Sequence, residues 1–177
     1  MSLTDVYLGL GSNTERELRL TAGLDALQQL LGELQCSPVF ESEPVGIRSD
    51  RFLNMVVHAK TALSLSELNQ YLKRIEAENG RYSQPRQCLA LDIDVLLYGQ
   101  QAGVCEGIVL PRAEILTNAF VLWPLAIVAP HVLHPVRQRS FLYLWQHAQI
   151  DQQLWPVQFV WQGQQLTPPE LLQSSVV

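Results

Sequence analysis

The chain has 177 residues, of which 47% are hydrophobic and 16% are charged, with a formal net charge of −5 at pH 7. This length and composition are typical of one globular domain with a substantial core, and they exclude a disordered chain. The acidic balance also argues against a nucleic-acid-binding protein, because such proteins usually carry a basic surplus.

The sequence indicates neither a signal peptide nor a membrane span. The N-terminus lacks the basic and then apolar pattern of a signal peptide. The most apolar stretch, residues 119–129, contains Pro124 and is too short to cross a bilayer. We therefore expect a cytoplasmic protein that binds neither nucleic acid nor a membrane.

The first two-thirds of the chain predict a strand, a helix, two strands, a helix and a strand. A strand over about 5–10 ends in a turn at Gly11-Ser12-Asn13, and leucines at helical spacing predict a helix from about Glu15 to Leu31. Strands follow at 37–43 and 52–60. The second helix begins with the capping-box pattern Ser64-Leu65-Ser66-Glu67 and ends at Asn79-Gly80. With a last strand from Leu91 to Gly99, this order predicts an α+β fold, a ferredoxin-like βαββαβ sandwich with a mostly antiparallel sheet and helices on one face.

The remainder of the chain carries shorter elements. Helices are predicted around residues 114–129 and 140–148, a strand at 157–161, and a helical turn that begins with Pro168-Pro169. We divide the chain into a main domain, 1–136, and a C-terminal extension, 137–177, of helical and strand segments packed on the same domain. The sequence does not indicate a role for this extension.

Two aspartates one residue apart, Asp92 and Asp94, are the most informative polar residues. Side chains at i and i+2 of a strand leave on the same face, so both acids lie together, roughly 6–7 Å apart along the chain. Such a pair suits two divalent cations on the order of 4 Å apart, the usual device for moving a phosphoryl-type group. For an isolated pair of this kind, a solvated strand face with two ordinary acids is the favoured interpretation, so the rest of the chain must decide. The opposite, apolar face of the strand is expected to carry Leu91, Ile93, Val95 and Leu97.

Charged residues bracket this acid pair along the chain. Glu76 and Arg81 close the second helix, Arg86 lies in the loop before the acid strand, and Arg112 follows Pro111. A triphosphate held by two cations needs guanidinium groups to offset the charge on its outer oxygens. Taken one by one, these arginines are also compatible with a solvated surface.

Two phenylalanines are candidates for binding a flat heterocycle. Phe52 begins a strand that also carries Asn54, and Phe120 follows Asn118. A ring could stack between the two phenylalanines while an amide or backbone groups read its edge. On their own, such phenylalanines are more often core residues.

Taken in order, these motifs resemble the 6-hydroxymethyl-7,8-dihydropterin pyrophosphokinases of folate biosynthesis, over roughly residues 6–136. That family transfers pyrophosphate from ATP to the hydroxymethyl group of the pterin and leaves AMP, with two magnesium ions. The markers of the resemblance are Leu10-Gly11-Ser12-Asn13, Ser42-Glu43-Pro44-Val45-Gly46, Phe52-Leu53-Asn54, Arg74-Ile75-Glu76, Gly80-Arg81, Leu91 to Gly99, Leu110-Pro111 and Phe120-Val121-Leu122-Trp123-Pro124-Leu125.

The resemblance implies a role for each matching residue. Asp92 and Asp94 would hold two Mg²⁺ ions. The implied ATP-binding residues are Glu76, Arg81, Arg86, Arg112 and Asn118, of which the three arginines would also be catalytic. The implied pterin-binding residues are Ser42, Val45, Phe52, Asn54 and Phe120.

The chain departs from the family pattern on the phosphate side. The family's Arg-Trp-Gly-Pro-Arg loop is replaced by Ser83 to Ala90, in which Arg86 lies further from the acids and Leu89 takes the place of the usual arginine. The family's Pro-His becomes Pro111-Arg112, and a later arginine becomes Asn118. Loss of such donors can slow phosphoryl-type transfer by several orders of magnitude.

We therefore expect an enzyme that forms the pterin diphosphate and AMP, with ATP as co-substrate, two Mg²⁺ ions and no partner beyond its small molecules, acting as a monomer. Two alternatives stay open. A non-catalytic or weakly active pterin- or nucleotide-binding paralogue would explain the changes at Arg86, Arg112 and Asn118. A metal-dependent phosphohydrolase would explain the two acids but not the other motifs.

Overall fold

The computed structural model describes residues 2–45, 50–81 and 89–173. Sixteen helices and strands lie within these ranges. The strands are β1 (Thr4–Ser12), β2 (Gln35–Cys36), β3 (Val39–Ser42), β4 (Phe52–Thr61), β5 (Asp92–Tyr98), β6 (Gly103–Cys105), β7 (Ile108–Leu110), β8 (Leu154–Val157), β9 (Val160–Trp161) and β10 (Gln164–Gln165). The helices are α1 (Arg16–Leu31), α2 (Leu65–Glu78), α3 (Glu114–Thr117), α4 (Ala119–Val128), α5 (Phe141–Gln146) and α6 (Pro169–Gln173).

The main sheet confirms the predicted α+β, ferredoxin-like fold. Its strands lie in the order β5-β1-β4-β3-β8, and β2 also pairs with β4. Every pairing within it is antiparallel. The predicted β-α-β-β-α-β series corresponds to β1, α1, β3, β4, α2 and β5, so the first and third strands of the series lie side by side at the centre of the sheet.

Helices α1 and α2 cover one face of the sheet, as the sequence predicts. Leu20, Leu24 and Leu27 of α1 are fully buried, as are Leu68 and Leu72 of α2. These positions recur at three- and four-residue spacing, which places them on one side of each helix. They pack with the inward residues of β1, β4 and β5 into the larger of two apolar clusters.

The predicted capping box at the start of α2 is confirmed. The Ser64 hydroxyl accepts from the Glu67 backbone N–H at 3.1 Å, and the Glu67 carboxylate accepts from the Ser64 N–H at 2.9 Å. Two of the donors that a helix N-terminus leaves without intrahelical partners are thereby satisfied. The local sequence therefore specifies where α2 begins.

The opposite face of the sheet is covered by α3, α4 and α5, which the sequence predicted as helices without placing them. Leu122 and Leu125 of α4 and Phe141 of α5 are buried there against Tyr7 and Val56 of the sheet. The expectation of helices on one face concerned the βαββαβ series, and it is correct for the two helices of that series, α1 and α2. The candidate site lies on this second face.

The expected apolar face of the acid strand is wrong at its far end. The pairing of β1 with β5 shifts between Leu8↔Val95 and Tyr7↔Leu97, so Leu96 has no opposite residue. A β-bulge of this kind turns the following side chains over. Leu97 consequently joins Leu96 in the second cluster, while Val95 remains in the first.

The predicted turn at Gly11-Ser12-Asn13 is also wrong. Strand β1 continues through Ser12, with Gly11 opposite Asn54 and Ser12 opposite Leu53 of β4. The N-cap of α1 is Glu15, so Asn13 does not cap that helix. Glycine in this strand meets a packing requirement and does not mark a turn.

The residues that follow α5 also contact the main sheet and α1. Strand β8 pairs with β3 at the edge of the sheet, and Phe159 and Trp161 join the larger apolar cluster. The Trp161 indole N–H donates to Asp25 of α1 at 2.9 Å. The division of the chain at residue 136 stays a prediction. None of the described helices has the length and hydropathy that a membrane span requires.

Candidate active site

A cavity of about 370 Å³ lies between the sheet and the start of α4. Nine of the predicted site residues line it: Ser42, Val45, Phe52, Asn54, Asp92, Asp94, Arg112, Asn118 and Phe120. Arg81 and Glu76 are not part of its lining. Arg86, with the segment 82–88 that contains it, lies outside the described residues. The sequence motifs are therefore brought together in space although they are spread over 79 positions of the chain from the first to the last of these nine.

Two glycines of β1 lie on the cavity side of the sheet, between the acids and the predicted pterin side. Gly11 is paired with Asp92 on one side and Asn54 on the other, and Gly9 is paired with Asp94. A Cβ added to Gly11 would lie 3.0 Å from the Asn54 side-chain oxygen. The absence of side chains at these two positions leaves space between the carboxylates and the amide.

Asn54 is held at the predicted pterin side of the cavity. Its Nδ2 donates to the Ser42 hydroxyl at 2.7 Å, and both residues are buried. Within the described part of the chain, Ser42 is the hydrogen-bond partner of this side chain. A planar amide fixed in this way presents a defined edge to a ligand. Phe52 and Phe120 contribute aromatic rings to the same cavity.

The two aspartates are each paired with a different arginine. Asp92 Oδ1 accepts from Arg81 Nη1 at 3.0 Å, and Asp94 Oδ1 lies 3.9 Å from Arg112 Nη2. Burial raises the pKa of Asp92, although Arg81 opposes the shift. Burial and the neighbouring Asp92 raise the pKa of Asp94 to about 6. Both carboxyl groups hold a proton more readily than usual, and each lies beside an arginine. A metal cation that binds them would take the place of a proton or of a guanidinium group.

Side chains also hold the outer edge of β5, where none of the described strands pairs. The Ile93 N–H, which lies between the two acids, donates to Glu76 Oε2 at 2.8 Å. On the same strand, Arg112 donates from Nε to the Val95 carbonyl at 3.2 Å and from its backbone N–H to the Leu96 carbonyl at 3.0 Å. The strand that carries the acids is thus fixed on both sides.

Glu76 does not line the cavity, and its carboxylate contacts the backbone of β5. The residue is fully buried; its Oε1 has no hydrogen-bond partner among the described residues and lies 3.4 Å from Lys73 Nζ. The Glu76 carboxylate supports the backbone of β5 through its bond to the Ile93 N–H, and its charge contributes to the raised pKa of Asp92. Direct contact of Glu76 with ATP stays a prediction.

The acid pair fits Mg²⁺ bound together with a nucleotide. Magnesium prefers oxygen ligands and is usually held by one or two carboxylates, with phosphate oxygens and water completing the octahedron. Within residues 2–45, 50–81 and 89–173, no group of three or more His, Cys, Asp or Glu side chains is arranged to hold a metal. Asp92 and Asp94 therefore suit ions that arrive with phosphates and do not form a closed structural site.

The family model for 7,8-dihydro-6-hydroxymethylpterin-pyrophosphokinase (HPPK) matches residues 7–130. The chain belongs to the HPPK family. This match includes the acid strand, both glycines and the residues on both sides of the cavity. The chain is accordingly an enzyme of the pyrophosphokinase type, as the resemblance predicted.

Curated members of the HPPK family align over most of the chain. The chain is 33% identical over 143 residues to the 2-amino-4-hydroxy-6-hydroxymethyldihydropteridine pyrophosphokinase of Aquifex aeolicus. This alignment covers 77% of this chain and 88% of that protein. It is 36% identical over 138 residues to the protein of the same name from Pseudomonas aeruginosa, with 73% and 83% covered.

Solved structures support the fold. Wild-type HPPK-DHPS of Plasmodium falciparum, crystallised with pteroate, superposes with a TM-score of 0.66 at 14% identity. The superposition covers 82% of this chain and 44% of that one, so the chain spans less than half of that longer protein. At this identity the likeness concerns the fold alone.

Some residues at the HPPK cavity were not predicted. Glu43, Leu89, Glu114 and Val121 also line it. Asn13, from a motif that was predicted to form a turn, accepts from the Leu89 N–H at 2.6 Å and donates its own backbone N–H to the Leu89 carbonyl at 3.0 Å. The Gly-x-Gly spacing on a strand was the available signal that β1 passes close to a ligand site.

Proposed function

We propose that this chain transfers the pyrophosphoryl group of ATP to the hydroxymethyl oxygen of 6-hydroxymethyl-7,8-dihydropterin, giving AMP and the pterin diphosphate. The observation that carries this proposal is that one cavity is lined both by the aromatic and amide side chains and by the two carboxylates. A pterin bound at the one end would present its hydroxymethyl group toward the acids at the other.

The aromatic end of the cavity supports pterin as the acceptor. A flat bicyclic ring can stack on Phe52 and Phe120 while Asn54 reads its polar edge. Because Ser42 orients the Asn54 amide, the donor and acceptor pattern offered to the ring is fixed before binding. Such preorganisation favours one planar heterocycle over others.

The charged end of the cavity supports ATP as the donor. Asp92 and Asp94 would hold two Mg²⁺ ions, which when bound neutralise phosphate charge and polarise the transferred group. Once their carboxylate partners are occupied by cations, Arg81 and Arg112 can pair with phosphate oxygens instead. The Arg112 backbone N–H donates to the Leu96 carbonyl, so the side chain could turn toward the phosphates without a shift of its Cα.

The proposed reaction is an in-line displacement at the β-phosphorus. The pterin hydroxyl oxygen forms a bond to that phosphorus, and the bond from it to the oxygen shared with the α-phosphorus breaks, so AMP leaves with the bridging oxygen. The hydroxyl proton passes to solvent. The residues of the chain contribute positioning and charge, and the proposal requires no side chain as a strong base.

The proposal is tested by measuring AMP and pterin diphosphate formed from ATP, Mg²⁺ and the hydroxymethyl pterin. Asp92→Asn and Asp94→Asn should each remove most of the activity, because an amide is a weaker magnesium ligand and carries no charge. Lys60→Gln, a change of charge on the exposed end of β4, serves as the matched control and should leave activity unchanged.

Other outcomes would assign other functions. Tight pterin binding with no AMP under varied metals and pH would favour a non-catalytic paralogue. Phosphate released from ATP in the absence of pterin would favour a phosphohydrolase. Either result would contradict the proposed transfer.

A further inference from the structure

Two consecutive residues that precede β8 contact opposite walls of the cavity. Gln152 contacts the wall that carries Asn118 and Phe120, and Gln153 contacts the wall that carries Ser42 and Glu43. Both lie in the C-terminal extension, beyond residues 7–130 that match the HPPK family. We propose that the segment 152–155 holds the two pterin-binding walls at a fixed spacing, and that Gln152 is a positioning residue of the pterin site. This inference rests on the proposed function.

The Gln152 side chain binds the start of α4. Its Oε1 accepts from the Ala119 backbone N–H at 2.8 Å, its Nε2 donates to Asn118 Oδ1 at 3.0 Å, and the same Nε2 lies 3.4 Å from the Thr117 carbonyl. Ala119 is buried and is the first residue of α4. Since the side chain of the N-cap residue Asn118 makes no capping bond, the amide of Gln152 satisfies a helix donor that would otherwise be buried without a partner.

These bonds place two cavity residues. Phe120 immediately follows Ala119, so the position of its ring depends on the first turn of α4. The Asn118 amide is oriented with Oδ1 toward Gln152, and within the described residues its Nδ2 has no hydrogen-bond partner. The Nδ2 end is therefore the one that remains for a ligand.

The next residues bind the opposite wall. The Gln153 carbonyl accepts from the Glu43 N–H at 3.2 Å, and Leu154 is paired with Ser42 across β8 and β3. Trp155 lies against the guanidinium of Arg51, whose carbon is 4.7 Å from the ring centroid. Arg51 in turn forms an ion pair with Glu43 at 2.9 Å.

The two walls are consequently joined through one short stretch of backbone. Gln152 is attached to the Phe120 wall, and Gln153 with β8 is attached to the Ser42 and Glu43 wall. A planar ligand between the walls is sensitive to their spacing, because stacking weakens quickly as contact distance increases. Arg81 and Arg112 are held by β5 and make no hydrogen bond to this segment in the described part of the chain.

The experiment measures pterin and nucleotide binding separately on the full-length protein. Pterin affinity is determined by fluorescence titration with the hydroxymethyl pterin, and nucleotide affinity by calorimetry with a non-hydrolysable ATP analogue and Mg²⁺. For Gln152→Ala we expect pterin affinity to fall about tenfold, because the buried Ala119 N–H loses its acceptor. We expect ATP-analogue affinity to change less than about threefold, because Asn118 is the only predicted ATP-binding residue to which Gln152 bonds in the described part of the chain.

Two further variants separate positioning from general stability. Gln152→Glu keeps an acceptor for the Ala119 N–H and should recover part of the lost pterin affinity. Gln100→Ala removes an amide that donates to the Leu133 carbonyl at 3.1 Å, where neither residue lines the cavity, and should leave both affinities unchanged.

Three results would overturn the inference: unchanged pterin affinity in Gln152→Ala, an equal loss of both ligands, or the same loss in Gln100→Ala. Failure of the unsubstituted protein to bind the pterin would instead overturn the proposed function, and this inference with it. The two failures are therefore distinguishable.

Discussion

Removing the arginine that pairs with Asp92 should strengthen metal binding in the absence of nucleotide. Arg81 Nη1 lies 3.0 Å from Asp92 Oδ1, so a cation that binds this oxygen must displace the guanidinium or lie beside it. The two side chains are only 24% and 30% exposed, so the dielectric constant of water gives a lower limit for their electrostatic interactions. At about 5 Å, a dication and a guanidinium then repel by at least about 1.5 kcal/mol. Arg81→Gln should therefore bind Mn²⁺ at least about tenfold more tightly.

The assay is a Mn²⁺ titration followed by electron paramagnetic resonance, with no nucleotide present. The same variant should bind an ATP analogue more weakly, because the phosphates lose a charged donor. Arg74→Gln is the matched control, since Arg74 lies over the Tyr71 ring and not on either acid. Unchanged or weaker Mn²⁺ binding by Arg81→Gln, or an equal gain in Arg74→Gln, would refute the reasoning.

The remaining predictions concern pH and the pterin side. Mn²⁺ affinity should fall as pH decreases through about 6, the raised pKa of Asp94, because the proton competes with the ion; titrations on either side of that pKa check this. In the metal-free protein, denaturant unfolding should show stability decreasing as pH rises from 3.8 through about 6, because the folded state holds this proton more tightly than the unfolded chain. Phe120→Ala should weaken pterin binding about tenfold, and ATP binding far less, in calorimetry. Gly11→Ala should also weaken pterin binding in fluorescence titration, because its Cβ would lie 3.0 Å from Asn54 Oδ1.

Specific results would contradict each of these predictions. A Mn²⁺ affinity independent of pH would show that Asp94 does not bind the ion. Equal losses of pterin and ATP affinity in Phe120→Ala would remove the stacking argument. Full pterin affinity in Gly11→Ala would show that Asn54 has room to move, and that its edge is not fixed for the ligand.

The arrangement of the sheet could be predicted because local signals and element order agree. The capping box at Ser64 and Glu67 defines the start of α2, and the strand and helix series allows few topologies. The bulge at Leu96 could not be predicted, because alternation along β5 reads the same with or without it. The extension of β1 through Ser12 was missed because glycine marks turns and close packing alike.

The same holds for the residues of the site: those in ordered motifs could be predicted, and those that depend on tertiary packing could not. Residues near the acids and the aromatic rings were found because they lie in ordered motifs, and nine of them line one cavity. The full burial of Glu76 was not foreseen, because its environment depends on how α2 packs on β5. Gln152 carries no signal in the sequence, since its contacts with Asn118 and Ala119 are made across more than thirty positions. The roles of the individual residues stay predictions.

The fate of the β-phosphate of ATP tests the central claim most directly. With ATP radioactively labelled at that phosphate, Mg²⁺ and the hydroxymethyl pterin, the account predicts that the label moves to the pterin while unlabelled AMP is released in equal amount. Label that remains in ADP would show transfer of the terminal phosphate only. Label in free phosphate or unreacted ATP would show no transfer to the pterin, and each of these results would contradict the account.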